Sequence, residues 1–502
     1  MSPADGHDWR RTSPLAILFF LGSILKALVK NATQVIAPTA AFFFAFGGDT
    51  QTKIIIAVSA FVLITGTVSV LRYLFFRYAV ADDAILIREG IVNKKQLDIK
   101  YNRIQGINTE QSFIYRFFDL VTVSFDTAGS AGSEGQLPAV KTDFSRVLRE
   151  RIGHAKPSDS AADETGAPAA EAAPILKLDW GDMIRIGLAD RRAFLFLAIA
   201  APLFDQLSEE LGEVITRAVE DVATDVAALG PAIAATLIGT GIVIVVAILV
   251  LASIVAAFLR YHNFALYLES RRLRSVGGLL TRHEANMETG KVQLVRVKQS
   301  LVMRWAERVR LVLQQASSKT QKGGKSFIVP AAAPGFEAGF VADVFDPEAQ
   351  EIELRFDSAA LRRVSAHYLR PRILYFGVLP ALLMSTLAWF EAGWDALPLL
   401  LWIPLWSVVS WQRWRRLAYH VTGDALLRRS GFLARQLDVF LLRKAQRVTI
   451  TQSPYQRRKG LSSVRFFLAS GSIRVPYIDF DEAQKIRDYV LYKVESSTRS
   501  WH

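Results

Sequence analysis

The sequence predicts an α+β membrane protein: six transmembrane helices in three hairpins, each hairpin followed by a β-rich unit on one side of the membrane. Three observations lead there. First, the residues Gln105, Gln111, Ser112 and Arg116 recur as Gln293, Gln299, Ser300 and Arg304, and again as Gln446, Gln452, Ser453 and Arg457. Each first Gln lies fifteen residues after a glycine (Gly90, Gly278, Gly431) and each Arg twelve before an alanine (Ala128, Ala316, Ala469). Blocks 78–128, 266–316 and 419–469 therefore align without a gap, with six columns identical in all three. Such self-similarity marks one structural unit used three times. Second, the chain is 51% hydrophobic with mean hydropathy +0.23, yet 21% charged, so lipid-facing and water-facing segments alternate. Third, apolar runs suited to a hydrocarbon core of about 30 Å precede each block.

At 502 residues the length suggests roughly three or four domains. The absence of cysteine excludes disulfide frameworks, thiolate zinc sites and cysteine nucleophiles. A net charge of +13 invites a nucleic-acid reading, but no helix-turn-helix or RNA-binding signature accompanies it. Basic residues beside membrane spans are explained by orientation and by anionic lipid, and no nucleic-acid partner is expected.

Taken in order, residues 1–76 read as an N-terminal interfacial helix and a first hairpin. Lys26 and Lys30 interrupt the first apolar run, no small-residue cleavage site follows, and apolar sequence resumes over Val35–Phe46 and Ile54–Phe76. The first β-rich unit is 77–153. Ala84–Glu89 and the residues after Gly90 read as two strands about a turn, and Leu120–Phe125 alternates as a half-buried strand. Asp143–Ile152 reads as a helix with Phe144, Val147, Leu148 and Ile152 on one face. Residues 154–175, rich in Ala, Pro, Ser, Asp and Glu, form a flexible linker. The second hairpin, 176–260, comprises Ala193–Phe204, an acidic segment Leu207–Leu229 and the span Pro231–Leu259. A second unit, 261–360, contains a loop at Pro330–Gly335. The third hairpin, 361–416, pairs Pro371–Phe390 with Ala396–Trp414, and its six tryptophans suit an interfacial belt. The third unit, 417–496, ends in a helix from Asp479, with capping-box spacing to Glu482.

Three hairpins leave both termini and all three units on one side. The arginines that flank the spans (Arg10, Arg11, Arg72, Arg77, Arg191, Arg192, Arg260, Arg370, Arg372, Arg413, Arg415, Arg416) all fall there, and the acidic loop falls opposite. By the positive-inside rule the units are cytoplasmic.

A β-rich unit directly after a membrane hairpin, with a turn Gly, an Ile-Gln pair, a Gln/Ser step, an Arg and a strand ending near Thr-Ala-Gly, resembles the bacterial pleckstrin-homology (PH) domain of the second type. Arg103-Ile104-Gln105 and Asp126-Thr127-Ala128-Gly129 carry the match best. The three-repeat layout resembles the larger YdbS/YdbT-like membrane proteins over nearly the whole chain. The resemblance implies that each repeat is a PH-like β-sandwich or half-barrel closed by a C-terminal helix, in a multi-pass protein of the bacterial inner membrane. It implies no catalytic residues, cofactor or metal. As partners it implies anionic lipid head groups and other membrane proteins, a shorter single-PH-domain relative among them. Repeat two departs from the pattern, with Lys291-Val292-Gln293 and Gln314-Gln315-Ala316.

The bland and functional readings divide the motif residues. The repeated glycines are turns needing φ > 0, and the repeated Gln, Ser and Arg fix turns, because three contexts share them. Charge is different, since it accumulates unevenly. Block one has six Lys+Arg against seven Asp+Glu, net −1; block two has ten against four, net +6; block three has ten against two, net +8. A partner or lipid surface is therefore expected at Arg304, Arg308, Arg310, Arg443, Lys444, Arg457, Arg458 and Lys459, against the alternative that these only dock each unit beside its hairpin. Enzyme look-alikes fail. Lys322–Ser326 lacks the first Gly of a phosphate-binding loop, and His283-Glu284 lacks the second His of a metalloprotease helix. The expected function is that of a non-enzymatic membrane protein in envelope maintenance or stress response, the rival being a lipid or small-molecule transporter subunit.

Overall fold

The computed structural model describes residues 8–30, 50–127, 133–154, 173–189, 231–315, 326–345 and 356–497, apart from the single positions 92, 270, 357 and 359. The expected spans at Val35–Phe46 and Ala193–Phe204, the acidic 207–229 segment and most of the 154–175 linker lie outside those residues.

In the first repeat, α1 (Ala16–Lys30) packs along α2 (Thr50–Phe75), and α2 runs directly into a three-stranded antiparallel sheet. Its strands are β1 (Arg77–Val80), β2 (Ala84–Glu89) and β3 (Lys95–Lys100). A second half follows: β4 (Ile104–Ser112), the short helix α3 (Phe113–Phe117), β5 (Leu120–Thr127), β6 (Ser133–Lys141) and the closing helix α4 (Thr142–His154). Ile85, Ile87 and Ile99 from the first half meet Val123, Phe125 and Leu137 from the second, with Leu148 and Ile152 of α4 and Phe20 of α1 in the same cluster. Each such side chain contributes about 1.5–3 kcal/mol on leaving water. Two expectations are corrected here. Val147 is exposed, because α4 presents a narrower stripe to the sheet. β5 is buried on both faces, Thr122 and Ser124 included, and not half-buried.

The second repeat repeats the plan. A two-residue β7 (Leu176–Lys177) precedes α5 (Trp180–Ala189), which packs on α6 (Pro231–Tyr261); the Ser253 hydroxyl of α6 donates to the Gly187 carbonyl at 2.7 Å. Then come β8 (Ala265–Glu269), β9 (Arg272–Gly277), β10 (Thr281–Glu288), β11 (Val292–Gln299), α7 (Leu301–Trp305), β12 (Val309–Gln315), β13 (Phe327–Ala332) and α8 (Phe336–Phe345). The Pro330–Gly335 segment is thus strand as far as Ala332, not loop throughout.

The third repeat opens with β14 (Arg362–Arg363) and a helical hairpin. Its first arm is α9 (Leu369–Ile373), one π turn over 374–378 and α10 (Leu379–Ala392); the second is a 3₁₀ stretch over 393–401 and α11 (Trp402–Arg416). The arms reverse at Gly393 and pack together, with the Trp402 indole N–H on the Phe376 carbonyl at 2.9 Å. β15 (Ala418–Thr422), β16 (Ala425–Ser430), β17 (Arg435–Leu441), β18 (Arg447–Thr451), α12 (Pro454–Arg458), β19 (Leu461–Leu468), β20 (Gly471–Asp479) and α13 (Phe480–Ser496) complete it.

Among the described residues, three helices are long and apolar enough to cross a membrane: 58–75, 239–261 and 366–416. That count replaces the expected six. Two of the six expected spans lie outside the described residues, and the two arms of the third hairpin run together as one helical stretch.

The repeats are not separate sandwiches. The second half of repeat one and the first half of repeat two form a single seven-stranded sheet, β6-β5-β4-β10-β9-β8-β7, and the next pair forms another, β13-β12-β11-β17-β16-β15-β14. Three-stranded sheets, β1-β2-β3 and β18-β19-β20, stand at the two ends. At the first seam Arg282 opposes Gln111 and Glu284 opposes Thr109; at the second Arg435 opposes Gln299 and Leu437 opposes Val297. In the repeat alignment these are the same columns. Pairing edge to edge satisfies backbone groups that an isolated repeat would leave open to association.

Candidate functional site

Most of the repeat-defining residues hold the scaffold. Gly90, Gly278 and Gly431 have φ of +106°, +114° and +131°, and a Cβ at each would collide with the carbonyl oxygen three residues on. The second glutamine clamps the start of the next strand: Gln111 donates to the Leu120 carbonyl, Gln299 to that of Arg308 and Gln452 to that of Leu461, at 3.1, 3.2 and 2.9 Å. Ser112, Ser300 and Ser453 cap the short helices α3, α7 and α12 by accepting from Tyr115, Met303 and Gln456 backbone N–H groups. Arg116 reaches across the first seam to the Leu279 carbonyl at 3.3 Å, whereas Arg304 and Arg457 in the same column are exposed.

The eight basic residues singled out by charge do not form one surface. Lys444 is buried, its ammonium donating to the Gly290 and Val292 carbonyls at 2.7 and 2.5 Å, so it pins repeat three to repeat two. Arg308 pairs with Asp182 of α5 at 2.7 Å. These two are corrected from surface residues to structural ones, because each fills an unmet polar partner at a packed junction. Arg310 and Arg443 are half-buried, and Arg310 opposes Lys298 across β11 and β12. Burial, then Arg296 and Arg310, hold the Lys298 ammonium below its usual range. Arg304, Arg457, Arg458 and Lys459 remain open to solvent.

Arg458 leads to the site. A cavity of about 850 Å³ lies where the first arm of the third hairpin meets repeat three. Five arginines line it: Arg370 and Arg372 from α9, Arg428 from β16, Arg458 from α12 and Arg474 from β20; no Asp or Glu is in its wall. Four tyrosines join them. Arg372 donates to the Tyr368 hydroxyl at 2.6 Å and lies over the Tyr368 ring at 5.1 Å. The Tyr455 hydroxyl meets His367 Nδ1 at 3.1 Å. Tyr477 packs edge-on against Tyr368 at 5.6 Å, and burial raises its hydroxyl pKa. Arg428 is held by Asp438 on one side and donates to the Arg474 carbonyl on the other. A smaller cavity of about 280 Å³ on the flank of α11 is lined by Arg363, Arg415, Arg416, Arg429 and Arg435.

Near the first seam the cavities are smaller and of mixed sign, at about 280 and 310 Å³, with Glu110, Glu284 and Glu288 among their walls. Burial pushes the Glu284 carboxyl up, but Arg149, Arg274 and the Thr109 hydroxyl outweigh it and hold the group below its usual value. Cavities walled by arginine without a carboxylate among the described residues therefore lie in repeat three, beside its membrane helix.

Sequence reasoning reached Arg458 and missed the tyrosines. A signal was present. Each last strand carries a proline, Pro138, Pro330 and Pro476, followed by Ala139, Ala331 and Tyr477. Ala139 and Tyr477 take positive φ, +52° and +54°, a conformation rarely adopted by residues other than glycine. In repeat three that strained position is occupied by an aromatic side chain that lines the cavity.

The family described as Bacterial PH domain matches this chain three times, over residues 17–156, 222–352 and 373–494, which is well over half of it. The UPF0699 transmembrane protein YdbT of Bacillus subtilis (strain 168) is 21% identical over 482 residues, covering 92% of this chain and 93% of the relative. No solved structure matches. The chain belongs to the bacterial PH domain family.

Proposed function

We propose that this member of the family is a non-enzymatic protein of the bacterial inner membrane whose third repeat holds the head group of an anionic lipid in the arginine–tyrosine cavity. One observation carries the proposal: five arginines, of which only Arg428 is held by a carboxylate (Asp438, behind the wall), converge at the point where an apolar helix enters a water-facing domain. Guanidinium forks match phosphate oxygens in pairs, and tyrosine suits the depth of the head groups. A lipid phosphate at that depth would leave its acyl chains beside the hairpin. Each basic side chain near an anionic leaflet adds about 1 kcal/mol of attraction. Arg72, Arg260 and Arg413, Arg415 and Arg416 stand in the last turns of the apolar helices, each just before the first strand of a repeat, and support a cytoplasmic placement of all three repeats. Envelope maintenance or stress response is the matching physiological role.

The test uses the full chain, because repeat three shares a sheet with repeat two. Protein purified in mild detergent is analysed by native mass spectrometry and lipid extraction, beside Arg458→Glu and Arg457→Glu. Arg458 lines the cavity and Arg457 does not. Retained anionic lipid should fall several-fold in Arg458→Glu alone, and fall in all as salt rises and the Debye length shrinks from about 10 Å to about 3 Å. Equal retention in the three proteins would remove lipid from the cavity and leave the repeats as protein-binding modules.

A further inference from the structure

The two seams imply a third. In each, the third strand after one repeat's membrane helices pairs antiparallel with the fourth such strand of the repeat before it, β10 with β4 and β17 with β11. Among the described residues, β3 pairs only with β2, and β18 only with β19. The described residues therefore leave open one strand of each kind that the internal seams join.

We propose that a second copy of this chain completes the pattern, its β3 pairing with β18 of the first, so that copies assemble head to tail through a seam like the two internal ones. This is independent of lipid binding. The occupant is identified by continuity with interfaces the chain already makes twice in one register. Carried through the alignment, that register sets Lys95 opposite Thr451, Gln96 opposite Ile450, Leu97 opposite Thr449 and Asp98 opposite Val448. No like charges stand directly opposite, and Val448-Thr-Ile-Thr451 is β-branched throughout, an edge left unblunted. The closing helix agrees as well. At the first seam Arg149 of α4 reaches Glu284 of the next repeat at 3.0 Å. Counted from the helix starts, Thr142 and Phe480, Arg487 of α13 stands in the place of Arg149, with buried Ile486 and Val490 matching Leu148 and Ile152. Among the described residues Arg487 pairs with its neighbour Asp488, and in the third seam it would meet Gln96 and Asp98 of the next copy. Because the relation repeats the internal one, the next copy's membrane helices emerge on the same side. Such a heterologous contact yields rings or open filaments.

The cysteine-free chain makes a clean test in membranes. Opposed residues in an antiparallel pair have Cα atoms roughly 4.5 or 5.5 Å apart, within disulfide reach. Under mild oxidation, Lys95→Cys/Thr451→Cys should shift most of the chain from the 55.8 kDa monomer into a reducible ladder of its multiples. Each single variant should stay monomeric, and a co-expressed mixture of the two singles should stop at dimer. Lys95→Cys/Thr449→Cys, two residues out of register, should give no ladder. A monomeric double variant, an equal ladder from the shifted pair, dimers from either single variant, or coupling of Thr451→Cys to a different protein would each overturn the proposal.

Discussion

Asp438 is where the joining of the repeats can be measured. Its side chain is fully buried at the second seam, bound by Arg296 Nε and by Arg428 Nη2, both at 2.6 Å, and by Gln436 at 3.0 Å. Asp438→Asn keeps the shape and removes the charge, leaving two guanidiniums facing each other with Lys298 nearby. Breaking a buried pair by removing one partner costs about 3–5 kcal/mol. Arg296 and Arg428 retain 22% and 18% exposure and can turn partly to water, which favours the lower end. About 3 kcal/mol corresponds to a roughly 150-fold rise in the opening equilibrium. Hydrogen–deuterium exchange of the full chain in detergent reads it directly, in peptides spanning 295–299 and 435–441. Glu284→Gln is the comparison at the first seam. There the carboxylate is 17% exposed and its arginines 34% and 42%, so solvent screening reduces the loss to about 1 kcal/mol, roughly a fivefold change. Exchange unchanged in Asp438→Asn, or raised equally by both substitutions, would refute the view that buried charge locks the second seam more firmly than the first.

Gly431→Val should cost a few kcal/mol, because φ is +131° and a Cβ meets the Ala434 carbonyl, whereas Gly423→Ala enters open space and should cost little; protease resistance of repeat three separates them. Glu284, with its carboxyl held below the usual value, contributes stability that is present above the unfolded carboxylate pKa and is lost as pH falls through the folded one; first-seam exchange should rise in acid, and Glu284→Gln should flatten that rise. Single cysteines introduced at positions 165 and 218 should be, respectively, protected from and labelled by an impermeant thiol reagent in intact cells, and the opposite pattern would invert the proposed topology.

Much of the local structure was legible because it repeats. Positive φ at Gly90, Gly278 and Gly431 is fixed by backbone sterics, so three copies of a short pattern suffice to reveal it, whereas the repeated serines, read as fixing turns, cap the short helices α3, α7 and α12. Burial of Leu148 and Ile152 follows from helical spacing, but exposure of Val147 depends on how wide a stripe the sheet covers. Charge counting pointed to repeat three without separating Lys444 from Arg458. A lysine that donates to two carbonyls of another repeat and an arginine that lines a cavity look alike in sequence, since their partners lie far along the chain. The seven-stranded sheets were invisible for the same reason. Strand periodicity records which face of a strand is apolar, while pairing across a seam runs through backbone groups that every residue carries, so only the tertiary structure decided that three repeats share their edges.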